Sequence, residues 1–228
     1  MESFLIRSQR FLGPTALILL AIAMYGVYQV PREAEMGLAY KILYVHVPSV
    51  FPAYLGFLLA AIGGLGFLIT GRDGWDRMAL ASGEVGVLFC TLLIVTGPLW
   101  ARPIWGVWWD WNDLRLSTTA ILWFIYLGYL FLRSFADGDF MRRTSAVVAI
   151  AGLVAIPFVR FAIELAKIPP IHPPNPDLPI EMKVTLRLGY LVFFVLFFYL
   201  LGMRLAVARA EAEAEAQLEA LDPSHELA

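Results

Sequence analysis

The chain has 228 residues, a formal charge of −2 at pH 7, 60% hydrophobic and 16% charged residues, and a mean hydropathy of +0.71. Soluble domains hold about 45–50% apolar and about 25% charged residues, so a soluble globular protein is excluded. No basic stripe points to nucleic acid. The single cysteine, Cys90, supplies neither a disulfide framework nor a CxxCH haem attachment.

Crossing a bilayer takes about 20 predominantly apolar residues per helix. Six segments meet that requirement: Phe11–Val30, Val47–Thr70, Leu80–Pro98, Thr118–Leu132, Thr144–Ile163 and Leu186–Ala206. Barrel-type alternation is absent, which leaves helices as the spanning solution. The expected fold is an all-α integral membrane protein, a bundle of six transmembrane helices.

The first segment, flanked by Arg7 and Arg10, reads as a retained helix because no small-residue cleavage pattern follows it. The second is entered through YVHVPS, where Pro48 suits a first helical turn and His46 is expected at the helix mouth. The third carries Glu84, which at depth must face protein or water. A tryptophan-rich stretch over 97–118 joins the third and fourth segments. The fifth and sixth are joined by KIPPIHPPNPDLP, whose prolines forbid a helix and favour a stiff extended segment presenting His172. After Arg209 the run AEAEAEAQLEALDPSHELA reads as a solvated acidic helix extension ending near Pro223, with His225 in solvent. The chain therefore divides into a membrane domain, 1–210, and an acidic tail, 211–228.

An even number of spans puts both termini on one side. The long connections Pro31–His46, Leu99–Ser117 and Arg160–Thr185 then share the opposite face. Lys and Arg number nine on the terminus face and eight on the other, and the short loops of the terminus face are denser in them. That density places the termini in the cytoplasm and the tryptophan stretch on the outer face.

Five of the seven tryptophans, Trp100, Trp105, Trp108, Trp109 and Trp111, fall within residues 100–111, interleaved with Arg102 and Asp110 and followed by Asp113 and Arg115. Tryptophan offers a flat apolar face and one N–H donor. The spacing of Trp105, Trp108, Trp109 and Asn112 suggests a short helix lying in the interface plane, apolar face down. Asp110 and Asp113 read as capping or solvated groups. His46, the tryptophan stretch and His172 fall on one face of the membrane. Two imidazoles beside an aromatic platform suit a non-covalently held haem, each supplying one axial nitrogen. Arg102 and Arg115 would face its propionates. Plainer readings stand beside this one. A lone interfacial histidine is commonly a hydrogen-bonded loop residue, and tryptophans at a boundary commonly form an aromatic belt. A belt spreads over many helix ends, whereas this density lies in one connection. Phosphate-loop, HExxH and CxxC signatures are all missing.

The run WGVWWDWNDLRLST, with TGPLWARPIWG before it, resembles the WWD signature of the haem-handling superfamily. Six spans, about this length, and one His on either side of the motif resemble the haem exporter protein C (CcmC) family of cytochrome c maturation. The resemblance implies haem b held non-covalently at the outer face of the bacterial inner membrane, with His46 and His172 as axial ligands. It assigns Trp105, Trp108, Trp109 and Trp111 to the WWD surface, with Asp113 and Arg115 near its end. Here Trp111–Arg115 runs one residue longer than the family's usual W-D-x-R. The resemblance also implies delivery to a membrane-anchored haem chaperone, cytochrome c maturation protein E. The implied complex holds an ABC-type ATPase, its membrane subunit and a small single-helix subunit. Such a protein presents haem and is no enzyme. Two alternatives are a haem lyase-like relative, usually larger and richer in His, and a haem-free structural or transporter subunit that docks partners through the tryptophan stretch.

Overall fold

The computed structural model describes residues 2–33, 36–135, 138–166 and 178–221. Six long helices follow in order: α1 (Glu2–Gln29), α2 (Leu43–Thr70), α3 (Asp73–Trp105), α4 (Leu114–Phe135), α5 (Asp139–Ala166) and α6 (Ile180–Leu221). A 3-10 helix, Leu38–Ile42, leads directly into α2. All six are long and apolar enough to cross a membrane, and the protein is a multi-pass helical bundle.

Apart from Val30, which lies just past the end of α1, the helices contain and run past the apolar segments, because hydrophobicity sets the span while caps and propensity set the ends. The 42 residues of α6 make a rod of roughly 60 Å, twice the ~30 Å hydrocarbon core. Its Ala/Glu portion continues as helix to Leu221, with Arg209 paired to Glu213 one turn on at 2.7 Å.

One local expectation is corrected. Pro48 does not occupy a first turn, because the 3-10 lead-in starts the helix at Leu43 and leaves Pro48 and Pro52 inside it. Without an N–H, Pro48 cannot bond the Tyr44 carbonyl. Both groups instead face Gly189 of α6, where a Cβ would lie 2.9 Å from Pro48 Cγ and 3.1 Å from the Tyr44 oxygen.

Helix α2 is the hub, packed on α3, α5 and α6, with α1 on α6 and α4 on α5. The α2–α3 pairing is backbone to backbone: a Cβ on Gly56 would sit 2.6 Å from Gly86 Cα, and one on Gly63 would sit 2.7 Å from Ala79 N. Close approach of this kind supplies the dispersion and packing that hold helices together in lipid. At the centre, the fully buried Tyr126 of α4 stacks on Phe57 of α2 at 3.7 Å. Its hydroxyl donates towards the carbonyls of Ala149 (2.9 Å) and Phe57 (3.2 Å).

Charges gather at the terminus end. Asp76, 7% exposed, accepts a fork from Arg133 at 2.5 and 2.8 Å and a further bond from Arg142 at 3.0 Å. Glu84 of α3 pairs with Arg204 of α6, so the carboxylate in the third span faces protein. Each cost of removing a charge from water is thus offset by an opposite charge. The helices alternate in direction, which puts the α1 end, the α2 start, the α3–α4 connection and the α6 start together at the other end. A satellite cluster of Val30, Tyr40, Tyr44 and Met182 joins three of these.

Candidate functional site

His46 sits in the first turn of α2, half-buried, at the end of the bundle opposite the charge cluster. Its Nδ1 lies 2.9 Å from Thr96 Oγ1 on α3. The tight α2–α3 seam fixes that register. Gly97 adjoins the ring: a Cβ there would lie 3.4 Å from His46 Cε1. One turn beyond Thr96, on the same helical face, stands the buried Trp100. Trp100 meets Trp105 edge to face, with ring centroids 4.8 Å apart. His46 and the tryptophan cluster are therefore linked along one helix end.

The stretch from Gly106 to Asp113 holds no helix, which corrects the expected interfacial helix. Of the interval 97–118, residues 97–105 belong to α3, 106–113 are irregular and 114–118 belong to α4. Local chemistry explains why. Gly106 adopts the left-handed conformation (φ 78°, ψ −3°), and its N–H returns to the Arg102 carbonyl, closing α3. Asp110 Oδ1 then accepts from Asn112 N at 2.9 Å, an Asx-type turn. Asp113 Oδ1 accepts from Leu116 N at 3.0 Å, capping α4 in the manner its sequence position suggests. Three local breakers outweigh the helical spacing of the tryptophans.

The loop sorts its aromatic residues into two kinds. Trp108 and Trp111 are 57% and 68% exposed, large apolar surfaces left uncovered. Trp105 and Trp109 are half-buried, and Trp109 leans on Trp111 with centroids 5.5 Å apart. The Trp109 indole N–H is buried with no hydrogen-bond partner among the described residues. Such a donor is costly unless a ligand or water meets it. The Arg102 guanidinium donates to the Gly106 carbonyl and lies 6.0 Å from the Trp108 ring, a cation–π contact. Arg115 lies in the first turn of α4, where a cation gains nothing from the helix dipole. Its side chain makes no ion pair among the described residues.

His172, the second expected ligand, lies outside the described residues, as does His225. Among the described residues, no three or more His, Cys, Asp or Glu side chains are gathered as a cage for a bare metal ion. The donor set that is present fits a macrocycle: one imidazole, uncovered indole faces, an unmatched indole N–H and two guanidinium groups. Thr96 and Gly97 were missed by sequence reasoning. The only signal was a hydroxyl next to a glycine late in an apolar span, and nothing in one sequence says which neighbour it faces.

Asp113 offers a test of cap against charge. Asp113→Ala is expected to cost about 1 kcal/mol through loss of the cap, whereas Asp113→Asn retains it. Thermal melts of the purified variants check this. Equal losses for both would show that the carboxylate charge matters beyond capping.

The family model described as Heme exporter protein C matches residues 2–219. A Heme exporter protein C of Bradyrhizobium diazoefficiens is 33% identical over 155 residues, 68% of this chain and 59% of its own. A cytochrome c biosynthesis ccmC-like mitochondrial protein of Marchantia polymorpha is 33% identical over 146 residues, 64% and 61% of the two chains. A Heme exporter protein C of Haemophilus influenzae is 29% identical over 189 residues, 78% and 76% of the two. The chain thus spans about three-fifths of the length of the first two of these relatives.

Proposed function

The chain belongs to the haem exporter protein C family, and from that premise we propose that it holds haem non-covalently at the tryptophan-loop face and passes it to a membrane-anchored haem chaperone for c-type cytochrome maturation. Haem is cargo in this reading. The observation that carries it is the placement of His46, held through Nδ1 by Thr96, at the same bundle end as an uncovered tryptophan surface.

His46 would supply one axial nitrogen and His172 the other. Trp108 and Trp111 would lie against the porphyrin plane, and the Trp109 N–H would find an acceptor on the cargo. Arg102 and Arg115 would face the propionates, with Asp113 holding the α4 end in place. The acidic residues beyond Arg209 would lie in the cytoplasm and the loop outside the bacterial inner membrane. An ABC-type ATPase, its membrane subunit and a single-helix subunit would complete the assembly. The role is presentation rather than catalysis: a partner that draws one ligand or the loop away would release the cargo.

The test is an optical spectrum of the full chain, purified in mild detergent from haem-replete cells. A Soret band, with the spectrum of a six-coordinate haem, is expected. Its absence from folded protein would sink the haem reading and favour a docking subunit that uses the tryptophan surface alone.

A further inference from the structure

We infer that Thr96, with Gly97 beside it, is a positioning residue that selects the His46 tautomer and presents Nε2 as the iron-binding atom. The inference rests on the haem reading above and deepens it.

Thr96 Oγ1 lies 2.6 Å from the Leu92 carbonyl oxygen, one turn back on α3. A carbonyl only accepts, so the single hydroxyl proton goes there. The same Oγ1 lies 2.9 Å from His46 Nδ1. With its one hydrogen directed at the Leu92 carbonyl, the oxygen can only accept from the ring, so Nδ1 carries hydrogen. In the neutral ring the lone pair is then on Nε2. Thr96 is β-branched, its rotamer is further held by Leu92, and it stands inside a helix, so the acceptor has a fixed direction. Metal-binding histidines are commonly oriented by such a bond from the nitrogen that does not bind metal.

Gly97 sets the second coordinate. Cε1 lies between the two ring nitrogens, and it is the atom that a Cβ at position 97 would touch at 3.4 Å. The absent side chain lets the edge of the imidazole lie along the α3 backbone. A branched side chain would push that edge away and turn Nε2 with it.

The experiment compares Thr96→Val, which swaps hydroxyl for methyl at nearly equal volume, with Thr96→Ser, which restores the hydroxyl. The first readout needs no haem. Full-length protein with 15N-labelled imidazoles, purified from haem-depleted cells, gives the His46 nitrogen shifts, assigned by their loss in His46→Ala. Wild type and Thr96→Ser are expected to show a protonated Nδ1 and an unprotonated Nε2, and Thr96→Val a loss of that preference. The second readout is haem titration: Thr96→Val should weaken binding by about 10-fold and shift the Soret band, with recovery in Thr96→Ser. Wild-type nitrogen shifts and haem binding in Thr96→Val would overturn the inference, as would a Thr96→Ser that behaves like Thr96→Val. A His46→Ala protein with a wild-type spectrum overturns the ligand reading beneath it. Loss of haem in His46→Ala beside an unchanged Thr96→Val overturns the Thr96 role alone.

Discussion

His46→Ala is expected to abolish the wild-type haem spectrum while leaving the bundle folded. Loss of an orienting partner typically weakens a metal site 10–100-fold, so losing the ligand itself should cost at least about 100-fold in affinity. The fold should bear the change well. His46 is half-buried in the first turn of α2, away from the Gly56–Gly86 and Gly63–Ala79 contacts that hold α2 to α3. Losing the ring's hydrogen bond to Thr96 costs about 1 kcal/mol and leaves the Thr96 bond to Leu92 intact. The informative outcome is therefore a split: near-wild-type melting with a lost or strongly shifted Soret band. Exogenous imidazole should restore part of the band by entering the space the ring vacates. His172→Ala is expected to behave similarly if the two share one iron. A His46→Ala protein with full haem content and an unchanged spectrum would refute its assignment as a ligand.

The six spans were legible because lipid imposes a simple rule on composition: about 20 apolar residues must occur together. Each apolar segment coincides with one helix, and parity alone puts His46 at the tryptophan end. Helix ends were less legible because they depend on short-range competition. The 3-10 lead-in decides that Pro48 lies inside α2, and Gly106, Asp110 and Asp113 decide that the tryptophans do not form a helix. Asp113 as a cap was readable, since an Asp three residues before a free helix N–H satisfies it by local geometry. Thr96 was not readable. Its role depends on α2 and α3 meeting in one register, and that register comes from the Gly56–Gly86 and Gly63–Ala79 contacts between the two helices, not from any local pattern. The pairing of Glu84 with Arg204 falls in the same class: burial demanded a partner, but only the packing of α3 on α6 chose it.

The second large effect is expected far from the haem face. Asp76→Asn should destabilise the bundle by about 3 kcal/mol without changing haem affinity in the protein that remains folded. Asp76 lies near the N-terminus of α3, where a negative charge is also favoured by the helix dipole. Its two oxygens join Arg133 of α4 to Arg142 of α5, and Arg142 in turn lies over the Phe67 ring of α2, 4.5 Å from its centre. One carboxylate thus ties four helices. The amide is nearly the same size but carries no charge, and its NH2 would face a guanidinium. Breaking one side of a buried pair costs about 3–5 kcal/mol, because a charge is left uncompensated. The lower end applies here for two reasons. Arg142 keeps Asp73 and Asp139 as partners, and a cavity of about 530 Å³ lined by these same charges admits solvent to their outer side. Adding Arg133→Met to Asp76→Asn should recover part of the loss, since it removes the stranded charge; additivity of the two changes would show that the fork contributes nothing. Helix α3 carries both ends of the comparison, with Asp76 near its start and Thr96 20 residues on, roughly 30 Å along the axis. A rigid helix between them keeps the His46 seat intact, so melting should fall while the haem titration stays at its wild-type value.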